Sequence, residues 1–184
     1  TEKFIDLSVD LIARRATFIA DLAPVVLEEY RTVSNDVEQV DITYAPDHVD
    51  LDKGDVRGQL HTAAQRLATA ERARKLTLFG PQKDEIVFLI DGGLFRDTAS
   101  QGQHKSLLVA LKIAECRVLQ ERCNERPIVL LDDVFSELDS QRTERVLRRI
   151  QDLGMQCLIT TAEPAVVMGE GRGEQGAERG MREV

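Results

Sequence analysis

The chain has 184 residues, of which 42% are hydrophobic and 30% are charged, a balance typical of a globular protein with one domain or one domain and a small lobe. Its formal net charge of −8 argues against a surface that is basic all over, but it allows a local basic patch that contacts nucleic acid. No uncharged apolar run is long enough to span a membrane, so no membrane-spanning helix is expected.

The start of the chain and its cysteines bear on where the protein works. The first residue is Thr1, no signal segment follows it, and helical periodicity begins at residue 4, so we expect that the chain either begins inside a longer protein or has been processed, and the early periodicity favours the first. The three cysteines, Cys116, Cys123 and Cys157, lack the spacing of a metal site, and their number is odd. We therefore expect a reduced, cytoplasmic protein.

The first part of the chain has the pattern of a mainly helical lobe. Apolar residues over 4–33 recur at helical spacing and predict one long amphipathic helix, with a kink or break at Pro24. Residues 39–45 alternate in polarity and predict a strand, and residues 51–75 predict a second helix with a solvated face. We interpret residues 1–76 as a separate lobe.

The second part of the chain alternates strands and helices with short connections. Its predicted elements are, in order, a strand over 85–90 with a short antiparallel return, a helix over 104–122, a strand over 127–133, a helix over 139–152 and a strand over 156–161. This order predicts an α/β core with a parallel sheet over residues 77–168. Residues 169–184 are rich in glycine and charge, so we predict a disordered tail.

Two carboxylates, Asp132 and Asp133, end the buried strand that the apolar run over 127–133 predicts. Ligands of open α/β sheets bind beyond the carboxyl ends of the strands. There, one carboxylate can hold Mg²⁺ through water, and its neighbour can orient an attacking water. The alternative is that the two aspartates only form a turn or cap a helix.

Two further motifs lie at the starts of helices. Ala99-Ser-Gln-Gly-Gln103 precedes the long helix, whose first N–H groups and positive dipole end make an anion site, and Gly102 lets a phosphate approach the backbone closely. The alternative is that Ser100 is a plain N-cap. The second motif, Ser136-Glu-Leu-Asp139, follows the strand, and Asp139 can likewise cap the next helix.

In this order and spacing, the three motifs resemble the second half of an ABC-type ATPase core, which consists of a signature motif, a helix, a Walker B strand and a D-loop. Five stretches narrow the resemblance to the RecF family over about residues 75–165: Gly80-Pro-Gln-Lys-Asp84, Phe88-Leu-Ile-Asp-Gly92, Ala99-Ser-Gln-Gly-Gln103, Leu130-Leu-Asp-Asp-Val-Phe-Ser-Glu-Leu-Asp139 and Ile159-Thr-Thr161. The chain departs from the family pattern at Gln82, Lys83 and Glu85, where His, Arg and Asp are usual.

The phosphate-binding loop of such ATPases is absent from the sequence, because no G-x-x-x-x-G-K-S/T motif occurs in it. In the RecF family this loop lies near the N-terminus, so the resemblance implies a C-terminal part that lacks the Walker A half. It also implies that this fragment alone is inactive, whereas the full-length dimer is a weak, DNA-dependent ATPase that uses ATP and Mg²⁺.

The resemblance further implies that ATP is held between two subunits, and it assigns roles to residues. Asp132 would hold Mg²⁺ through water, and Asp133 would orient or deprotonate the attacking water. The signature would bind the γ-phosphate of the opposite subunit's ATP through Ser100, Gln101, Gly102 and Gln103. Asp139 of the D-loop would cross the dimer interface. Thr160 or Thr161 would lie beside the γ-phosphate or its water.

The implied function is an ATP-dependent homodimer of recombinational repair and replication restart. It would bind gapped DNA or junctions of single- and double-stranded DNA, and it would work with RecO and RecR to load recombinase. DNA contacts would be mainly to phosphates. Candidates, whose alternative is a solvated helix face, are Arg14, Arg15, Arg66, Arg72, Arg74 and Lys75.

Two other interpretations stay open at this point. One is the head of an SMC-type chromosome ATPase, although only about 75 residues precede the core here and no heptad pattern is sustained. The other is a non-catalytic module that uses an ATPase-like half for dimerisation or DNA binding.

Overall fold

The computed structural model describes residues 2–35 and 38–161. In these ranges the chain forms, in order, α1 (Glu2–Ser34), β1 (Val40–Ala45), α2 (Val56–Arg74), β2 (Glu85–Ile90), β3 (Gly93–Leu94), α3 (Phe95–Thr98), α4 (Gln101–Cys123), β4 (Ile128–Asp132), α5 (Ser140–Asp152) and β5 (Gln156–Thr160). The predicted disordered tail, residues 169–184, lies outside the described residues. The predicted division after residue 76 stays a prediction.

Helix α1 runs without interruption through Pro24, so a break there is wrong, while the alternative, a kink, stays a prediction. Proline removes one backbone hydrogen bond, which would weaken an isolated helix. Here Leu22 and Val26, on either side of the proline, are buried against Leu107 and Ala110 of α4. Tertiary packing of this kind, rather than intrinsic propensity, supplies most of the stability of a helix in a protein.

Helix α2 begins later than the sequence pattern predicts. Residues Leu51–Lys53 form a separate 3₁₀ turn, which Gly54 ends with a φ of 64°. Such a left-handed conformation favours glycine, and it interrupts the helical path. Asp55 then caps α2, because its side chain accepts a hydrogen bond from the backbone N–H of Gly58.

The strands form two small sheets. Strands β1, β2 and β3 make an antiparallel sheet in which Val40 pairs with Ile90 and Ala45 pairs with Glu85. Strands β4 and β5 are parallel and connected by α5, which confirms the predicted α/β core. The parallel pairing brings the carboxyl ends of β4 and β5 to the same edge.

Within residues 2–35 and 38–161, side chains cover one face of the β4–β5 sheet and leave the other open. Val129 and Leu131 pack into a core with side chains of α4 and α5. On the opposite face Ile128, Leu130 and Leu158 are 56%, 69% and 57% exposed. Parallel sheets are normally buried on both faces, so this open apolar face has the character of a surface that another segment covers.

A buried ion cluster joins α1, α4 and α5. Glu29 is fully buried and binds Arg117 of α4, and Arg149 of α5 donates to it from Nε at 2.7 Å and from a terminal nitrogen at 2.8 Å. Burial acts to raise the pKa of the Glu29 carboxyl, but hydrogen bonds from Arg149 and Arg117 outweigh it and lower the pKa below its ordinary value. The carboxylate is therefore charged and paired at neutral pH.

Glu29→Ala is expected to lower the free energy of unfolding by about 3–5 kcal/mol, because it leaves two arginines without their buried partner. Glu28→Ala is the matched control, since Glu28 contacts the same arginines from a side chain that is 55% exposed, and about 1 kcal/mol or less is expected. Denaturant titration at pH 7 measures both changes. Similar losses in the two variants would contradict a special role for the buried carboxylate.

The same cluster has a consequence for acid stability. The Glu29 pKa is lower in the folded chain than its ordinary value of 4.5, so its stabilisation is present above that value and is lost as pH falls through the folded-state pKa. Below about pH 4.5, the free energy of unfolding should therefore change less with pH in Glu29→Gln than in the wild type.

A second buried carboxylate, Asp84, anchors the Gly80–Asp84 stretch. It accepts hydrogen bonds from the Tyr44 hydroxyl, from the Arg15 guanidinium at 2.7 Å and from the backbone N–H of Asp47 at 2.9 Å. Although this stretch departs from the family pattern at Gln82, Lys83 and Glu85, it keeps Asp84, which links the stretch to α1 and β1. Arg15, a candidate for DNA contact, has a structural partner.

The three cysteines are free thiols. Burial raises the pKa of Cys157 to about 11, and it also raises the pKa of Cys116. Cys123, at the C-terminal end of α4, is exposed. Within residues 2–35 and 38–161, no helix is both long enough and apolar enough to pass through a bilayer.

Candidate functional site

Asp132, Asp133 and Thr160 meet at the carboxyl edge of the β4–β5 sheet. Asp132 pairs in register with Thr160, whose hydroxyl donates a hydrogen bond to the Asp132 carboxylate. The backbone N–H of Asp133 donates to both the carbonyl oxygen and the hydroxyl oxygen of Thr160, each at 3.2 Å. Three residues that the sequence predicts to act together are therefore neighbours. Thr161 follows them and is partly exposed.

Asp133 forms a sharp turn directly after the strand. Its φ of 47° lies in the left-handed region, which aspartate and asparagine tolerate better than most residues. Its carbonyl oxygen accepts a hydrogen bond from the Ser136 hydroxyl at 3.1 Å and lies 3.5 Å from the Lys105 ammonium. Hydrogen bonds thus hold both the N–H and the carbonyl group of Asp133, while the residue itself is exposed.

The predicted signature forms the first turn of α4. Ser100 is the N-cap, its hydroxyl accepts from the N–H of Gln103 at 3.2 Å, and its own N–H donates to the Gln103 side chain at 2.7 Å. This reciprocal capping box shows that Ser100 is an N-cap. The N–H groups of Gln101 and Gly102 lie in the first helical turn, beyond the reach of intrahelical acceptors, which is the feature that suits an anion.

The predicted D-loop packs directly against the signature. A Cβ atom on Gly102 would lie 3.2 Å from the backbone oxygen of Glu137, so the absent side chain allows the loop to approach the helix. Asp139 is the N-cap of α5, and its carboxylate accepts from the N–H of Arg142 at 2.8 Å. The cap interpretation of Asp139 is confirmed, and its side chain is 61% exposed.

Sequence reasoning missed the residue that joins these two segments. Glu38 lies between α1 and β1, and one of its oxygens accepts from Gln103 at 3.1 Å and from Arg142 at 2.6 Å. These partners are 65 and 104 residues away in the chain, so no local pattern identifies the contact. The sequence shows only an acidic residue between a long helix and a strand, and acidic residues at such positions are usually exposed, so nothing marks Glu38 as buried.

The side chains at the strand edge fit a magnesium site in which phosphate oxygens and water supply most of the ligands. Oxygen ligands suit Mg²⁺, which usually takes one or two carboxylates and keeps several waters. Among the described residues, no group of three His, Cys, Asp or Glu side chains could hold a metal. Asp132 and Thr160 offer one carboxylate and one hydroxyl, a donor set that needs a nucleotide to complete it.

Comparisons with known proteins agree with these motifs. The chain is 38% identical over 163 residues to the DNA replication and repair protein RecF of Geotalea daltonii. The matched region covers 88% of this chain and 45% of that protein. It is 35% identical over 178 residues to RecF of Heliobacterium modesticaldum, which covers 94% and 47% respectively. The predicted resemblance to RecF is confirmed, which favours it over an SMC-type head. No family model matches the sequence.

Solved structures give the same result. A structure of the recombination mediator protein RecF with ATP, in the RecFOR pathway, superposes with a TM-score of 0.71 at 28% identity over 88% of this chain and 43% of that chain. A second, with an ATP analogue, gives a TM-score of 0.67 at 26% identity, over 85% and 42% of the respective chains. The chain thus spans slightly under half the length of these relatives.

Proposed function

Because the chain resembles RecF over 88–94% of its length, we propose that it is the C-terminal part of a RecF-type ATPase and acts in DNA repair. It contributes the Walker B strand, the signature and the D-loop to a nucleotide site. A phosphate-binding loop elsewhere in the protein and a second subunit complete that site. The observation that carries the proposal is the meeting of Asp132, Asp133 and Thr160 at the carboxyl edge of the β4–β5 sheet.

Within one subunit, the residues at the carboxyl edge of the β4–β5 sheet bind the metal ion and orient the attacking water. Mg²⁺, when bound, would supply positive charge that neutralises the phosphates. Asp132 would hold this ion through water, and the Thr160 hydroxyl, which donates to Asp132, keeps its carboxylate in place. Asp133 accepts a proton from the attacking water or orients it.

Across the subunit interface, the first turn of α4 serves the other subunit's ATP. Ser100 and the N–H of Gly102 hydrogen-bond its γ-phosphate, and the positive end of the helix dipole favours that charge. Gln101, Gln103 and Asp139 complete the interface. ATP thus joins two subunits, and hydrolysis separates them. Thr160 or Thr161 senses the γ-phosphate from within its own subunit.

The open apolar face of β4–β5 supports the view that this chain works within a larger head. Ile128, Leu130 and Leu158 present apolar side chains on one side of a parallel sheet. The part of the protein that carries the phosphate-binding loop would cover them.

DNA binding belongs to the dimer and uses exposed basic side chains of the helical lobe. Arg72, Arg74 and Lys75 are exposed at the C-terminal end of α2, and Arg14 and Arg66 are also exposed. Arg15 is left out because Asp84 and the carbonyl oxygen of Pro81 hold it. The dimer acts in the cytoplasm at gaps and junctions of single- and double-stranded DNA, with RecR and RecO as partners.

The 184-residue chain alone is expected to show no measurable ATP hydrolysis, because it carries no phosphate-binding loop. The full-length protein that contains it should hydrolyse ATP slowly, and DNA should stimulate it. Phosphate release, assayed with and without Mg²⁺ and DNA, compares the two proteins. Turnover by the chain that disappears in Asp132→Ala would contradict the expectation, and a full-length protein that fails to bind ATP would favour a non-catalytic module.

A further inference from the structure

Glu38 receives hydrogen bonds from three separate elements. Its side chain is 9% exposed, and it accepts from the Tyr30 hydroxyl of α1 at 2.8 Å through one oxygen. The other oxygen accepts from the Gln103 amide of α4 at 3.1 Å and from the Arg142 guanidinium of α5 at 2.6 Å. Both oxygens of this buried carboxylate are engaged, and the three donors come from different elements, so the carboxylate fixes those elements relative to one another.

The contact with Gln103 determines how the signature turn is capped. A carboxylate accepts and cannot donate, so the Gln103 side chain must direct its NH₂ group to Glu38. Its carbonyl oxygen then lies where it accepts from the N–H of Ser100, at 2.7 Å. Glu38 thereby selects the amide orientation that closes the capping box around Ser100.

The contact with Arg142 carries the same constraint to the D-loop. The Arg142 side chain is 16% exposed and donates to the Ser106 hydroxyl at 2.9 Å, and its Nε lies 3.5 Å from the Asp139 carboxylate. Ser106 in turn donates to the carbonyl oxygen of Gly102 at 2.8 Å. One closed set of contacts therefore joins Glu38, the signature turn and the loop that ends at Asp139.

We propose that Glu38 is a positioning residue that holds the signature turn and the D-loop in one fixed arrangement, ready for the nucleotide of the opposite subunit. This inference rests on the proposed function for its purpose, but the positioning itself is a property of the single chain. Because Glu38 follows α1 and binds Tyr30 of that helix, it also ties both segments to the helical lobe.

Glu38→Gln tests the proposal with little change of shape. Without the negative charge, Arg142 loses its ion partner, and the amide can offer an NH₂ group to Gln103 where an acceptor is needed. In the nucleotide-free, full-length protein, amide hydrogen exchange over residues 100–104 and 136–142 should become about tenfold faster. Asp41→Asn, an exposed carboxylate three residues further on, is the matched control and should leave both segments unchanged.

Arg142→Gln provides a second variant if Glu38→Gln does not fold. It removes the D-loop side of the contact and keeps the Glu38–Gln103 bond, so exchange should accelerate more over 136–142 than over 100–104. Unchanged exchange in both segments, or a uniform increase throughout the chain, would overturn the positioning role. A uniform increase is what a merely structural residue would give.

ATP-dependent dimerisation is the functional readout. Glu38→Gln should raise the dimer dissociation constant measured with ATP by about tenfold, while the ATP affinity of the monomer stays within about twofold of wild type. Wild-type dimerisation by Glu38→Gln would overturn the proposal. A wild-type protein that does not dimerise with ATP would overturn the proposed function instead, and hydrogen exchange would still decide the role of Glu38.

Discussion

Asp133→Asn is expected to lower ATP turnover of the full-length protein by about a hundredfold or more, since a positioned general base contributes at least that much. ATP binding should be unaffected, so an ATP-bound dimer should accumulate. The substitution removes the proton acceptor while it keeps the size of the side chain and therefore spares the ground state. Single-turnover hydrolysis and light scattering with ATP measure the two effects.

The backbone of Asp133 makes asparagine the right replacement. With a φ of 47°, this residue has a conformation that asparagine adopts with little strain, whereas alanine would disturb the turn as well as remove the carboxylate. Glu125→Gln, an exposed carboxylate between α4 and β4, is the control and should hydrolyse ATP normally. Normal turnover by Asp133→Asn would mean that another group orients the water.

Ser100→Arg is expected to abolish ATP-driven dimerisation and to leave ATP binding by the monomer nearly unchanged. Ser100 is exposed at the N-terminus of α4, where the ATP of the opposite subunit would lie. A long arginine side chain at this position would therefore obstruct the interface between the subunits. It would not reach the phosphate-binding loop of its own subunit. Sizing the protein with and without ATP, beside a nucleotide titration, separates the two effects.

Ser100→Ala separates the obstruction from the loss of the serine hydroxyl. Removing the hydroxyl costs about 1 kcal/mol of cap stability and takes away one proposed hydrogen bond to the γ-phosphate, but it introduces no obstruction, so this variant should still form a dimer at raised ATP concentration. If Ser100→Arg dimerises like the wild type, the signature assignment is wrong. If it loses ATP binding as a monomer, Ser100 acts within its own subunit.

The strands and helices around the motifs are predictable from sequence because uninterrupted periodicity and turn residues mark them. The strand expected over 85–90 is β2, and the helix expected over 139–152 is α5 with its cap Asp139. Likewise, the parallel pairing of β4 with β5 follows from a strand–helix–strand order, and it brings Asp132 to Thr160. Local signals therefore suffice for the strand edge of the site.

Features that depend on distant parts of the chain are not predictable in this way. Nothing near Glu38 indicates that it meets Gln103 and Arg142, and nothing near Pro24 shows that packing on α4 compensates for the lost hydrogen bond. Arg15 presents the same difficulty, because a periodic helix predicts an exposed cation while Asp84 lies far along the chain. In each case tertiary contact decides what local pattern leaves open.

Two of the three thiols, Cys116 and Cys157, are only partly exposed, which bears on how the protein can be labelled. Burial raises the pKa of Cys157 to about 11 and also raises the pKa of Cys116, which disfavours the reactive thiolate at both positions. A maleimide applied briefly should therefore react first at the exposed Cys123. That position lies about 33 Å along α4 from Gln101. A dye could follow subunit association from there without a substitution and without touching the nucleotide.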